Sequence, residues 1–166
     1  MRGLLLAITV CGVLSIAACG GGGSSSEATG ESSAEATSSE SLETKPKVEV
    51  PSGPPPTQLE TKELIEGEGA EAKAGDEVTV QYVGVNYKTG KQFDASWDRG
   101  EPFPFTLGSN SVIPGWEQGV EGMKVGGRRE LIIPPELGYG SAGAPPAIPP
   151  NETLIFVVDL VEVAGK

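Results

Sequence analysis

The chain has 166 residues and a formal net charge of −11 at pH 7, which argues against a nucleic-acid partner because phosphate binding requires a basic face. It contains no histidine, which is the usual general base of serine and cysteine nucleophiles and a common metal ligand. Its two cysteines, Cys11 and Cys19, lie near the N terminus, which excludes a thiol, zinc or disulfide site farther along the chain.

Residues 1–18 have the pattern of a secretory signal peptide. Arg2 supplies the positive charge, and residues 4–14 form an apolar stretch that is too short to span a bilayer comfortably as a helix. The four residues that end at Cys19 read Ile-Ala-Ala-Cys and resemble the lipobox of bacterial lipoproteins. The resemblance implies a diacylglycerol on the Cys19 thiol and a lipid anchor in the cell envelope, outside the cytoplasm. An ordinary secretory signal cleaved near Ala18 is the alternative.

Residues 19–56 are expected to form a lipidated, disordered tether. The segment is rich in Gly, Ser, Ala, Glu, Thr and Pro and has few large apolar side chains, so it cannot bury enough apolar surface to offset the entropy of ordering. The glycine-rich stretch 20–26 should be its most flexible part, and the proline-rich stretch 51–56 should be stiffer and extended.

Residues 57–166 are expected to form one folded domain in which strands are joined by glycine turns. Apolar and polar residues alternate along several segments, as they do in half-buried strands. The predicted strands are Glu77–Val85, Lys91–Ser96, Phe103–Thr106, Arg129–Ile133 and Leu154–Val163. The only helical candidate is Pro114–Met123, which should cover one face of the sheet. Mostly antiparallel strands with one short helix make an α+β domain.

Five segments, in order and with short gaps, resemble the FKBP family of peptidyl-prolyl cis-trans isomerases. They are Val80–Gly84, Phe93–Ser96, Val112–Glu117, Leu137–Gly140 and Ile148–Phe156. The resemblance implies a twisted antiparallel β-sheet wrapped around one short α-helix, with a pocket between them. It also implies an enzyme that accelerates rotation about X-Pro peptide bonds, which isomerise slowly without a catalyst, in exported proteins.

The family pattern also implies the residues of the pocket. Those expected to act on the twisting imide are Tyr82, Phe93, Asp94 and Tyr139, and those expected to grip the substrate are Phe103, Val112, Ile113, Trp116, Ile148 and Phe156. In this scheme Trp116 is the floor beneath the proline ring, and the backbone N–H of Ile113 donates to a substrate carbonyl.

Simpler interpretations exist for single residues. Each aromatic ring could be ordinary core packing, as is expected of Phe105, and Asp94 could be a turn carboxylate. Arg99 is expected either to pair with Asp94 or to be an ordinary surface arginine. The sequence departs from the family at Ala95, where a serine is frequent, and in a proline-rich loop at 143–147.

The expected partners are proline-containing polypeptides and the macrolides tacrolimus and rapamycin, with no cofactor and no metal. Three alternatives remain: a binding module that isomerises poorly, a chaperone-like holdase, and a dimer with a helical N-terminal arm. The main pocket positions are retained, and there is no room for an inserted chaperone domain. A monomer is expected because the segment before Thr57 is polar and rich in Pro and Gly.

Overall fold

The computed structural model describes residues 42–165, so the predicted signal peptide and the lipobox-like residues lie outside the described residues. Six strands, two short helices and a 3₁₀ turn follow one another along this part of the chain. In order they are β1 (Glu60–Ile65), β2 (Glu77–Asn86), β3 (Gln92–Ala95), α1 (Ser96–Arg99), β4 (Phe103–Thr106), α2 (Pro114–Val120), β5 (Arg128–Ile133), the turn Pro135–Leu137 and β6 (Leu154–Val163). None of the helices in residues 42–165 is long and apolar enough to cross a membrane.

All six strands form one antiparallel sheet in the order β1-β5-β6-β2-β3, with β4 also paired to β2. The long strand β2 therefore has two partners on the same edge. Its first half pairs with β4 and its second half with β3, and α1 connects these two partners. This arrangement places α1 beside the middle of β2, next to Tyr82.

Helix α2 packs closely on β5. It covers one face of the sheet, as the sequence predicts. Pro114 is at its first turn, where the missing N–H costs nothing. A Cβ on Gly115 would lie 2.5 Å from Cγ2 of Ile133, and one on Gly119 would lie 2.7 Å from Cδ2 of Leu131. Only glycine allows the helix to lie this close to β5 at these two positions. The helix is thereby held against the main core, in which Trp116 is buried.

The second face of the sheet is also covered. Successive side chains of a strand point to opposite faces, and β2 and β6 contribute Val83, Val85 and Ile155 to a separate apolar cluster. Val48 and Trp97 pack on this cluster. The sheet is therefore buried from both sides at its centre.

Of the predicted tether, residues 19–41 lie outside the described residues and residues 42–56 lie within them. Residues 42–56 contain no helix or strand, yet Pro46 is buried, the Thr44 carbonyl accepts a 2.9 Å hydrogen bond from Arg128, and Tyr87 donates to the Pro54 carbonyl at 3.4 Å. Residues before the boundary expected at Thr57 therefore contact the domain, Thr44 among them.

Strand β1, helix α1 and the 3₁₀ turn Pro135–Leu137 are not predicted from the sequence. Strand β1 has an exposed, charged sequence because it is a sheet edge, so it lacks the alternation that marks a half-buried strand. The prediction that Pro114–Met123 is the only helix is wrong, because α1 occupies Ser96–Arg99 and shortens the strand expected to run to Ser96. Four residues are too few to show a helical period.

Candidate functional site

A cavity of about 350 Å³ opens between α2 and the sheet. Ten residues line it: Tyr82, Phe93, Asp94, Phe103, Ser111, Val112, Ile113, Trp116, Tyr139 and Phe156. Six aromatic rings and two aliphatic side chains form an apolar cup, and Asp94, Ser111 and the hydroxyls of Tyr82 and Tyr139 supply polar atoms. Its size is in the range of small-molecule sites and suits one proline ring with its flanking bonds.

Trp116 is the centre of the aromatic packing. Its ring meets the ring of Tyr82 with centroids 5.0 Å apart and that of Phe156 at 5.2 Å, both nearly perpendicular. Phe103 adds a third edge-to-face contact at 6.1 Å. Phe105 lies behind the cup, stacked on Phe103 and tilted against Trp116. Such edge-to-face contacts fix ring orientation as well as burying area, so the floor and walls of the cup are preformed.

Asp94 is held by a network of donors. Its carboxylate accepts hydrogen bonds from the Tyr82 hydroxyl at 2.5 Å, from the Ala95 N–H at 2.9 Å and from the Arg99 guanidinium. A second nitrogen of Arg99 donates to the Tyr82 hydroxyl at 2.9 Å. The expected pairing of Arg99 with Asp94 is therefore present. Because every partner of the carboxylate is fixed, Asp94 is suited to orienting a substrate.

The two tyrosines of the cup keep their protons to high pH. Burial raises the pKa of the Tyr82 hydroxyl first, and its hydrogen bond to Asp94 raises it further, although Arg99 acts in the opposite direction. Burial and the charge of Asp94 likewise raise the pKa of Tyr139. At neutral pH both hydroxyls are therefore hydrogen-bond donors.

The loop before α2 is fastened to that helix by Glu117. The Glu117 carboxylate accepts the N–H of Gly108 at 2.5 Å and that of Asn110 at 2.9 Å. The fastened loop presents Ser111, Val112 and Ile113 to the cup. The N–H of Ile113 makes no hydrogen bond to another residue within 42–165, whereas its carbonyl accepts from Trp116 at 2.9 Å. That free N–H is available to a substrate carbonyl.

Tyr139 comes from the opposite side, on the loop between β5 and β6. Its carbonyl accepts from the Gly143 N–H at 3.1 Å, and Ala144 and Ile148 exchange two hydrogen bonds of 2.9 Å. Tyr139 is 40% exposed, as befits a residue at the rim, while Ile148 is buried in the main core. Ile148 thereby anchors the loop that carries Tyr139.

Nine of the ten pocket residues expected from the sequence line the same cavity, and Ile148 does not. Ser111 lines the cavity but was not expected. Its position immediately before Val112 is the only signal that could have pointed to it. The roles of the nine residues in catalysis and binding stay predictions.

Comparison with protein families gives a clear result. The family model described as "FKBP-type peptidyl-prolyl cis-trans isomerase" matches residues 68–161, more than half of the chain. The chain belongs to this family. The FKBP-type chain is thus a peptidyl-prolyl cis-trans isomerase, in agreement with the activity expected from its five motifs.

Relatives extend the match beyond the family model. An FK506-binding protein of Streptomyces anulatus is 59% identical over 120 residues, which cover 72% of this chain and 97% of the relative. A probable FK506-binding protein of Corynebacterium glutamicum is 51% identical over 117 residues, 70% of this chain and 97% of the relative. Both matches are longer than the stretch from Thr57 to Lys166, so both include residues that precede Thr57.

Solved structures confirm the fold. The crystal structure of AtFKBP13 has a TM-score of 0.61 at 38% identity and covers 66% of this chain and 96% of its own. The crystal structure of FkpA from Escherichia coli has a TM-score of 0.58 at 48% identity, over 63% of this chain and 47% of its own. The α+β class with one sheet around a short helix is therefore correct.

Proposed function

We propose that this FKBP-type isomerase accelerates X-Pro rotation in exported polypeptides by removing the imide from water and twisting it in the aromatic cup. The observation that carries the mechanism is the preformed cavity, which is lined mainly by aromatic and aliphatic side chains and has Asp94, Ser111 and Tyr139 as polar lining residues.

Rotation about the X-Pro bond makes and breaks no covalent bond. Its barrier, about 18–20 kcal/mol, comes from the loss of amide resonance as the C–N bond twists. The twisted imide carbonyl carries less negative charge than the planar one, so an apolar cup disfavours the planar ground state relative to the transition state. Trp116 supports the proline ring, and the free Ile113 N–H, Asp94 and Tyr139 orient the groups around it. No proton transfer is needed, which fits a chain without histidine.

Truncating Phe93 tests the mechanism. In a protease-coupled or NMR exchange assay with an Ala-Ala-X-Pro peptide, Phe93→Ala should lower kcat/KM by about 10- to 100-fold, because one apolar wall contact contributes about 1.5–3 kcal/mol. Val163→Ala, which shortens a buried side chain outside the cup, is the control and should retain kcat/KM. Unchanged kcat/KM in folded Phe93→Ala would rule out the site.

We further propose that the cup binds the macrolides tacrolimus and rapamycin. The names of several relatives describe FK506 binding, and nine of the ten pocket residues that the resemblance implies line one cavity in this chain. A bound macrolide ring would lie on Trp116, so titration should change the tryptophan fluorescence and inhibit the isomerase competitively. Lack of binding at high micromolar macrolide would contradict the proposal.

For localisation, we propose a lipid-anchored protein of the cell envelope, with a signal peptide at residues 1–18 and a lipid on Cys19. Support comes from the Ile-Ala-Ala-Cys sequence after a short apolar stretch. Wild type should partition into the detergent phase, while Cys19→Ser should remain aqueous or unprocessed. Equal aqueous partitioning of both proteins would exclude the anchor. A monomeric state is proposed with it and is tested by sedimentation of the soluble variant.

A further inference from the structure

Residues 44–50, here called the N-terminal strap, lie on the face of the sheet opposite the cup. Pro46 is buried, and Val48 packs on the apolar cluster of the second face together with Trp97. The Thr44 carbonyl accepts a 2.9 Å hydrogen bond from Arg128, which is itself fully buried and paired with Asp159. The hydrogen bond of Thr44, the burial of Pro46 and the packing of Val48 thus fix the strap at three points.

One strap contact is made with α1. The Lys45 ammonium lies 2.5 Å from Oδ1 of Asp98, and Gln92 donates to Oδ2 of the same carboxylate at 2.7 Å. The hydrogen bond from Lys45, and after it the one from Gln92, lowers the pKa of Asp98, so this carboxylate is ionised at neutral pH. Lys45 therefore holds α1 from the strap, through Asp98.

Helix α1 also carries the residue that organises the cup. Arg99 follows Asp98 directly and donates both to Asp94 and to the Tyr82 hydroxyl. A helix of four residues without a side-chain N-cap has little stability of its own, so its position depends on tertiary contacts. The second residue, Trp97, meets the strap through the apolar cluster that Val48 also covers. Trp97 and Asp98 thus face the strap, and Arg99, the next and last residue of the helix, contacts Asp94 and Tyr82 of the cup.

We infer that Lys45 and Val48 of the N-terminal strap are positioning residues for the isomerase, which act through α1 on Arg99 and thereby set the placement of Asp94 and Tyr82. The inference rests on the proposed function of the cup. Two relatives match the chain over a stretch that includes residues before Thr57, so the domain they share with it extends toward the strap.

Lys45 and Lys47, two residues apart in the strap, provide a matched test. Lys45→Ala in the full chain should lower kcat/KM for an X-Pro peptide by about two- to fivefold, since the ion pair is partly exposed. Lys45→Ala/Val48→Ala should lower it by about tenfold, and Lys45→Arg should restore it. Lys47→Ala is the control, because within residues 42–165 Lys47 forms its ion pair with Glu49 at 3.5 Å and both side chains are more than four-fifths exposed. Its kcat/KM should match wild type.

A double-mutant cycle shows whether the effect passes through Arg99. If it does, Lys45→Ala should change kcat/KM little once Arg99 is alanine, whereas independent effects would multiply. The same loss in both backgrounds, or equal activity of Lys45→Ala and Lys47→Ala, would overturn the inference.

A second measurement does not depend on catalysis. The ¹H–¹⁵N signals of the Arg99 Nε–H and the Tyr82 N–H should shift in Lys45→Ala and stay in place in Lys47→Ala. Unmoved signals in Lys45→Ala would reject the positioning role even in an active enzyme. If the wild-type chain proved inactive, signals that shift in Lys45→Ala would still support the contact from Lys45 to Arg99 and Tyr82, and the proposed function alone would be rejected.

Discussion

Gly84 lies against the ring of Phe93, so closely that a Cβ on Gly84 would be 2.7 Å from Cζ of Phe93. The same Cβ would lie 2.7 Å from Cε1 of Phe156. Gly84 belongs to β2 and pairs with Asp94 on β3 and with Phe156 on β6. The absence of a side chain at this one position allows two walls of the cup to close over the strand.

Gly84→Ala should therefore damage the cup more than the fold. The added methyl group forces the rings of Phe93 and Phe156 to shift, at a cost of about 1–3 kcal/mol in unfolding free energy. We expect kcat/KM to fall by about tenfold, because both rings line the cup that holds the substrate in the proposed mechanism. Peptide isomerisation and thermal unfolding of the purified variant measure the two effects.

Gly119→Ala is the control for this substitution. Its Cβ would meet Cδ2 of Leu131 at the same 2.7 Å, but in the core away from the cup. It should lower stability without lowering kcat/KM of the folded protein. Equal losses of activity in the two variants would mean that overpacking anywhere in the domain disturbs the site.

Asp94→Asn separates charge from shape. The carboxylate accepts from Tyr82, Ala95 and Arg99, and an amide would turn one acceptor into a donor that faces another donor. Hydrogen bonds to charged groups contribute about 1.5–3 kcal/mol, so Asp94→Ala should lower kcat/KM by about 10- to 100-fold. Asp94→Asn should lose nearly as much. Wild-type activity in Asp94→Asn would show that the charge and its donor network are dispensable.

The sequence was most informative where a family motif and a strand pattern coincide. Tyr82 and Phe156 lie on strands whose alternation is visible, so both their structural position and their membership of the cup could be predicted. Ile148 shows the limit of the motif. Ile148 lies in a loop, where no alternation of apolar and polar residues predicts the direction of a side chain. It is buried in the main core, where it anchors the loop that carries Tyr139.

The strap was hidden for a different reason. Its composition is polar, yet Pro46 is buried and Val48 packs on the apolar cluster of the second face. Composition measures how much apolar surface a segment could bury, but it does not reveal that Arg128, far along the chain, supplies a buried partner for the Thr44 carbonyl. Such long-range contacts require the fold before they can be recognised.

Tyr82→Phe should show its largest effect on stability below pH 10. A tyrosine whose folded pKa is raised contributes stability that is fully present below the ordinary pKa, about 10, and is lost as pH rises toward the folded value. Wild type should thus lose unfolding free energy more steeply than Tyr82→Phe above pH 10. Urea unfolding from pH 8 to 11 measures the difference between the two proteins. A difference that widened above pH 10 would contradict the assigned direction of the pKa shift.

Removing one partner of the buried ion pair of Arg128 and Asp159 should lower the unfolding free energy far more than replacing both partners by apolar residues. Arg128 Nε and Nη2 donate to the two carboxylate oxygens at 2.5 and 2.9 Å, and both side chains are almost fully buried. Asp159→Ala removes the carboxylate that accepts two hydrogen bonds from the buried guanidinium and should lower the unfolding free energy by about 3–5 kcal/mol. Arg128→Met/Asp159→Leu removes both charges and should recover most of that loss.

The neighbouring pair supplies the comparison for this prediction. Arg129 pairs with Glu63, whose side chain is 44% exposed, so Glu63→Ala should cost about 1 kcal/mol or less. Urea unfolding of the three variants at pH 7 ranks them directly. If Asp159→Ala cost no more than Glu63→Ala, water would have to reach Arg128 through the second face of the sheet. The strap, whose Thr44 carbonyl covers that guanidinium, would then not be closed in solution.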